Sequence, residues 1–293
     1  VSGTLIILGL LLMLLKGFNF GIDFKGGNII HVRFEAQMTE NQIRDTFKKI
    51  KDKVKNIHFG PEQLVIQAVS ESQGKDFIIQ YPAAAIESQE ATQVNSEILK
   101  ELKVLAPYRE DALETANVGP TVGGEMKRQA VVASIISVIG ILLYLAWRFE
   151  MQSATGAVLG LVHDLFITLG VIALLGIEFD VAVLAAIMTM LGYSVNDSIV
   201  VLDRIRENRK LMRGAKLVDI VNDSINQTLG RTINTSVTTL FTLFALLLFG
   251  GTSIHGFALV LTFGVFCGTY SSIFVASPVL LHMGPAKEEK RHA

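Results

Sequence analysis

The stretch Gly192-Tyr193-Ser194-Val195-Asn196-Asp197-Ser198-Ile199-Val200-Val201-Leu202-Asp203-Arg204 decides how the chain is read. It continues an apolar run that begins at Val181, yet it carries Asp197 before the run reaches charged residues. In a bilayer an acid so placed cannot easily be solvated, and intramembrane acids by default mark ion or proton pathways. Tyr193, Asp197, Val201 and Arg204 share one helical stripe, at spacings of four, four and three. That stripe must face protein or water, because lipid would leave the acid unpaired.

Composition points the same way. The chain has 293 residues, 50% of them apolar, and a mean hydropathy of +0.46, which is too apolar for an ordinary soluble domain of this size and reads as a polytopic α-helical membrane protein. A net charge of −1 argues against nucleic acid as a partner. The lone Cys267 forms no internal disulfide and reads as a packing residue. The histidines are scattered, without an i,i+4 pair or a Cys/His cluster, so no metal site is expected.

Val1 to Leu15 is uninterruptedly apolar and closed by Lys16-Gly17, somewhat short of the roughly 20 residues that cross a bilayer. Because the chain starts without Met, residues 1–17 are expected to be a first membrane helix trimmed at its N-terminal end, or cut from a longer fusion. A signal peptide is disfavoured, since no basic region precedes the run and no small-x-small site follows it. Residues 18–127 then have the composition of a water-soluble domain. Strands are expected at Asn28–Phe34, Gln63–Val69, Asp76–Tyr81 and Glu110–Val118. Helices are expected from Thr39, with Gln42 at the capping-box position and Ile43, Phe47 and Ile50 on one face, and over Glu87–Leu105. The turn-rich Ser70–Gly74 joins the second and third strands. The order β-α-β-β-α-β predicts a ferredoxin-like α+β domain, with Gly119-Pro120 and Gly123-Gly124 punctuating its exit.

Residues 128–283 hold five further apolar segments, at about 129–147, 154–175, 181–203, 231–249 and 255–281. Basic residues orient them. Arg148, the cluster Arg204, Arg206, Arg209, Lys210, Arg213 and Lys216, and the tail residues Lys287, Lys290 and Arg291 alternate with two connections that carry no Lys or Arg. Both termini, including the tail 284–293, are therefore expected in the cytoplasm. The α+β domain lies outside, between the first and second of six transmembrane helices. The plainer account of the 204–216 cluster is this topogenic role; binding of anionic lipid or a cytosolic partner is the sharper one.

Polar stripes on these helices carry the functional expectation. Gly156, Gly160, Asp164 and Thr168 recur every four residues, small and then acidic. Arg231, Asn234, Thr235, Thr238 and Thr242 recur at three and four, placing a cation near the cytoplasmic end of a hydroxyl-lined face. Each has a bland account: Thr hydroxyls bond back to the i−4 carbonyl, Arg231 snorkels to the interface, and Asp164 is satisfied by His163 or a nearby hydroxyl. Asp197 is hardest to dismiss. An acid alternately buried and wetted changes its proton affinity and can carry a proton from one side to the other. At about 1.5 Å per residue, Asp197 and Arg231 both lie in the inner half of the membrane, where they could meet. An intramembrane aspartyl protease built on Asp164 and Asp197 would need a glycine-aspartate motif that is absent.

Several motifs together resemble the SecF family. They are Gly21-Ile22-Asp23-Phe24-Lys25-Gly26-Gly27, Gly156-Ala157 to His163-Asp164, Tyr193-Ser194-Val195-Asn196-Asp197 to Asn208, and Asn226-Gln227-Thr228-Leu229-Gly230-Arg231-Thr232 to Thr235-Ser236. The resemblance spans essentially the whole chain. It implies a non-enzymatic accessory subunit of bacterial Sec protein export in the cytoplasmic (inner) membrane, with a membrane part like one half of an RND-type transporter. The implied partners are SecD, the SecYEG translocon, YajC, YidC, an unfolded preprotein and the lipid bilayer, and protons are the coupling ion in place of a cofactor. It assigns proton coupling to Asp197 and Arg231, with Asp164, Asn196, Thr235 and Thr238 as supporting intramembrane polar residues. Lys25 sits at a variable position of its motif and receives no role. Half of a proton antiporter for a lipid or small molecule is the alternative, and a non-transporting scaffold of the translocon the third reading.

Overall fold

The computed structural model describes residues 2–53, 64–68, 74–82 and 88–283. The expected turn at Ser70–Gln73, the strand ends Gln63 and Val69, the helix start Glu87, the Ile50 side chain and the tail 284–293 lie outside the described residues. Contacts divide the chain into two units: Phe20–Val131, and the N-terminal helix together with everything from Val132 onward.

The chain opens with α1 (Ser2–Lys16), which ends where Gly17 takes a left-handed φ of 69° and its N–H closes on Met13 O at 3.0 Å. After β1 (Asn19–Phe20) and the single turn α2 (Ile22–Lys25) come β2 (Gly27–Arg33), α3 (Glu40–Lys53), β3 (Val65–Ala68), β4 (Asp76–Pro82), α4 (Ser88–Leu105) and β5 (Glu114–Val118). The last four strands form one antiparallel sheet in the order β3-β4-β2-β5. Period-two alternation sends Ile30 and Val32 of β2, and Phe77, Ile79 and Tyr81 of β4, to one face. There they pack with Ile43 and Phe47 from α3 and with Ile98 and Leu102 from α4. The start of α3 is a capping box: the Thr39 N–H donates to Gln42 Oε1 at 2.9 Å, and the Gln42 N–H returns to Thr39 Oγ1 at 3.4 Å. Where the paired strands β2 and β4 end, Asp76 accepts from Arg33 Nε at 2.6 Å and Nη2 at 2.5 Å.

Two local expectations need correction. Glu110–Ala112 is a 3₁₀ turn, and the strand starts only at Glu114. The Leu113 N–H closes this turn on Glu110 O at 3.4 Å, and exposed ion pairs of Lys103 with Glu110 at 2.7 Å and Arg109 with Asp111 at 2.6 Å flank it. Gly123 and Gly124 do not punctuate an exit, because they lie inside α5 (Pro120–Arg148). Gly123 is there for close approach: a Cβ on it would stand 2.7 Å from the Gly26 amide nitrogen.

The second unit continues with α6 (Met151–Leu175), β6 (Glu178–Phe179), α7 (Val181–Leu211), α8 (Leu217–Phe249), α9 (Gly251–Ser271), a π turn (Ser272–Ala276) and α10 (Ser277–Met283). Five described helices are long and apolar enough to cross a membrane, the fifth being the run from Ile254 through Met283; α1 is shorter. α7 is central, packed on α6, α8 and α9, and buries Ala186, Ile187, Met190, Leu191, Val201 and Leu202. Glycine opens the crossings. A Cβ on Gly170 would stand 2.7 Å from Gly9 Cα, and one on Gly156 2.6 Å from Ala276 O.

Here too the expected boundaries shift. The connection between 203 and 230 is mostly helix, since α7 runs on to Leu211 and α8 begins at Leu217. Polar contacts take over where apolar packing ends: Arg148 pairs with Asp203 at 2.6 Å, and Asn208 donates to Ser224 Oγ and Gln227 Oε1, both at 2.9 Å. The segment expected as one helix at 255–281 is interrupted by the π turn. Pro278 follows two residues after it; it has no N–H to donate and its ring crowds the carbonyl one turn back, which widens the helix there.

Candidate functional site: two buried carboxylates

α6, α7 and the end of α9 enclose Asp164 and Asp197, which are 0% and 3% exposed. The glycines of the α6 stripe let the π turn approach: Gly160 would bring a Cβ within 3.6 Å of Ala276 and 3.8 Å of Ser271 Oγ. That approach delivers two adjacent hydroxyls to two different acids.

Asp164 is held on all sides. Its Oδ2 accepts from Ser194 Oγ at 2.5 Å and from Ser271 Oγ at 2.6 Å, and its Oδ1 lies 2.8 Å from His163 Nδ1. The buried His163 ring stacks on Tyr270 with centroids 6.0 Å apart, and its Nε2 has no hydrogen-bond partner among the described residues. Both bland accounts of Asp164, a histidine and neighbouring hydroxyls, therefore operate together.

Asp197 is held loosely. Ser272 Oγ reaches its Oδ2 at 3.3 Å. The buried Thr232 hydroxyl on α8 stands beside the same carboxyl as a second hydroxyl contact, with its Oγ1 outside strict hydrogen-bond geometry. Around the pair, Tyr193 donates to Ser236 Oγ at 3.4 Å, and Ser236 lies 2.7 Å from Thr269 Oγ1, joining α7, α8 and α9.

The remaining expected residues lie elsewhere. Arg231, Asn234, Thr235, Thr238 and Thr242 form an exposed face of α8, and Asn196 is exposed on α7. Thr235 Oγ1 bonds Arg231 O at 3.0 Å and Thr238 Oγ1 bonds Asn234 O at 2.9 Å, so these hydroxyls serve their own helix. Arg231 makes no ion pair among the described residues, and the structure does not bring it to Asp197. Its neighbour Thr232 takes that place on the inner face. Sequence reasoning passed over Ser194, Ser271, Ser272 and Thr232; the available signal was a set of small hydroxyls inside apolar helices, without any indication of which acid each would meet.

Comparison with known proteins identifies the family. Residues 98–286 match the family model of the SecD/SecF protein export membrane protein C-terminal region, and residues 11–38 match that of the SecD/SecF GG motif. The protein translocase subunit SecF of Desulfurispirillum indicum is 39% identical over 97% of this chain and 88% of its own length. That of Escherichia coli O157:H7 is 39% identical over 98% and 85%. SecDF of Thermus thermophilus is 39% identical, and here 91% of this chain corresponds to 34% of the longer protein. The crystal structure of Thermus SecDF, described as a translocon-associated membrane protein, superposes with a TM-score of 0.81 at 36% identity, covering 96% of this chain and 37% of that one. With family models and near full-length relatives in agreement, the chain belongs to the SecD/SecF family of protein-export membrane proteins, on its SecF side.

Proposed function

We propose that this chain is the SecF-type accessory subunit of a bacterial Sec translocase and that, with a SecD half, it couples proton entry to late export of secreted proteins. Asp197 is the coupling carboxyl. One observation carries this reading: Asp197 is buried at 3% exposure in an apolar helix, and among the described residues its carboxyl meets only hydroxyls, Ser272 Oγ at 3.3 Å and the looser Thr232, with no cation paired to it. A buried acid without a fixed set of partners can change its protonation state as the helices around it move.

The SecD half covers what this chain leaves open. The α8 face of Arg231, Asn234, Thr235 and Thr238 is polar and exposed, which lipid does not tolerate, and the Thermus fusion supports a partner carried beside it. Arg231 stands one residue from Thr232, so turning α8 brings the cation toward Asp197, and Asp197 and Arg231 then form the coupling pair. α1 counts as the sixth membrane helix. The strand order β3-β4-β2-β5, with α3 and α4 in the crossovers, supports a ferredoxin-like domain. That domain lies on the extracytoplasmic side of the inner membrane, with both termini cytoplasmic by the distribution of Lys and Arg. The SecYEG translocon, YajC, YidC and the unfolded preprotein are its partners, and protons, with no cofactor, drive the cycle.

The test is Asp197→Asn, which keeps the shape and removes titration. It is reconstituted with SecD and SecYEG in vesicles under an imposed pH gradient, and proton flux and completion of preprotein export are measured. Both should fall at least about tenfold, the size of losing one catalytically used proton carrier. Unchanged export and flux would leave a scaffold, and loss of flux with export intact would favour an antiporter.

A further inference from the structure

Ser271 and Ser272 are consecutive, both 0% exposed, and they point to different acids. Ser271 Oγ lies 2.6 Å from Asp164 Oδ2 and 3.2 Å from Gly268 O, whereas Ser272 Oγ lies 3.3 Å from Asp197 Oδ2 and 3.0 Å from Thr269 O. Ser272 is also the first residue of the π turn, and Ser277 Oγ donates to its carbonyl at 2.9 Å. Single π turns inside helices recur at functional positions, because the widened ring can rearrange without unfolding the helix. The far end of this turn is gripped by α6, where Gly156 leaves no room for a Cβ beside Ala276 O.

We propose that Ser272 is a positioning residue that serves Asp197 in both protonation states, and that Ser271 ties the same turn to Asp164. This rests on the reading of Asp197 as the coupling carboxyl. A hydroxyl has one proton and two acceptor lone pairs. With Asp197 ionised, Ser272 donates to its Oδ2. Once a proton has arrived on the carboxyl, the new O–H donates to Ser272 Oγ, and the serine proton rotates to Thr269 O. No covalent bond in the protein changes apart from the carboxyl O–H, and every polar atom keeps a partner. Ser271 has the opposite preference, because its short contact is the carboxylate and its long one the carbonyl.

Titratable groups on the elements packed around Asp197 include Asp164 and His163 on α6, Tyr193, Asp203 and Arg204 on α7, Arg231 on α8, and Cys267 and Tyr270 on α9. None of these hydrogen-bonds or ion-pairs with Asp197 among the described residues. Of the two hydroxyls beside the carboxyl, Ser272 stands in hydrogen-bond geometry and Thr232 does not, so Ser272 is the group best placed to follow the proton.

The experiment measures the pH profile of proton flux in vesicles holding this chain with its SecD half. Its variants are Ser272→Ala, Ser272→Thr, Ser277→Ala and, as a reference, Asp197→Asn. A hydrogen bond to a charged partner is about twice as strong as one to a neutral partner, so removing the Ser272 hydroxyl leaves a net difference between the two states. Ser272→Ala should move the midpoint by about half a pH unit or more, and Ser272→Thr, which restores the hydroxyl, should bring it back. Ser277→Ala removes a buried hydroxyl from the same turn and should leave the midpoint in place, which separates positioning from simple packing. If Ser272→Ala does not assemble, Ser272→Cys, similar in size but a weak donor, is read by the same criterion. An unmoved midpoint, or an equal move in Ser277→Ala, overturns the proposal while Asp197→Asn still abolishes flux. Undiminished flux in Asp197→Asn instead overturns the underlying reading of Asp197.

Discussion

Asp164 and Asp197 lie on neighbouring helices, are nearly inaccessible and receive hydroxyls from adjacent serines, but they are held differently. Three contacts of 2.5, 2.6 and 2.8 Å surround Asp164, whereas among the described residues Asp197 is reached by Ser272 at 3.3 Å and by the looser Thr232 hydroxyl. On the proposed reading, burial alone therefore does not distinguish the coupling acid from a structural one. What distinguishes them is the number of partners that would be abandoned if the group changed state. Asp164 joins α6, α7 and α9 into one body, while Asp197 sits where that body meets the less covered α8.

The largest expected effect breaks the structural side of this contrast. Asp164→Ala leaves Ser194 and His163 without their acceptor and Ser271 with only the longer contact to Gly268 O at 3.2 Å, and each buried group so orphaned costs about 1–3 kcal/mol. The full chain in detergent should lose about 3 kcal/mol or more in denaturant unfolding, whereas Asp197→Asn should stay within about 1 kcal/mol of wild type.

A smaller effect tests the grip of α6 on the π turn. Gly156→Ala drives a Cβ to 2.6 Å from a backbone carbonyl that cannot step aside, and should destabilise by about 1–3 kcal/mol. Gly160→Ala, with its nearest contact at an ordinary 3.6 Å, should change thermal stability by less than about 0.5 kcal/mol.

An acid with a permanent cation provides a third comparison. Arg33 beside Asp76 holds that carboxyl below the usual carboxylate range, chiefly through their hydrogen bonds and against the effect of burial. A lowered folded-state value means that the pair stabilises the domain above the unfolded carboxyl's pKa of about 4, and that this contribution disappears as pH falls through the lower folded value. Because Arg33 is 48% exposed in its side chain, solvent screening keeps the effect near about 1 kcal/mol. Acid titration of the domain's circular dichroism should show the loss in wild type, and Asp76→Asn should flatten it. The smallest effect belongs to the exposed α8 hydroxyls. Thr238→Val removes a bond to the residue's own helix and should alter stability by less than about 0.5 kcal/mol.

Legibility followed the range of the interaction. The Thr39–Gln42 capping box and the alternation of Ile30 and Val32 are local, and they stand in the structure as the sequence implied. The acid stripe of α6 was visible because glycine, aspartate and threonine shared one phase of 3.6 residues. The phase of α8 was not visible, since polar residues occupy both of its sides. Arg231 and Thr232 are one residue apart, about 100° around the helix, and only packing against α7 and α9 decides which turns inward. The π turn was hidden because hydropathy cannot sense a widened ring, although Pro278 marked the place. Gly123 read as a breaker because its reason for being glycine, the Gly26 backbone, is nearly a hundred residues away in sequence.

The most direct measurement is pH-difference infrared spectroscopy of the chain assembled with its SecD half, following the carboxyl C=O stretch that appears when a buried acid takes up a proton. The account predicts a band that disappears in Asp197→Asn and persists in Asp164→Asn in any preparation that remains folded. A band that survives Asp197→Asn, or one lost only in Asp164→Asn, would contradict it.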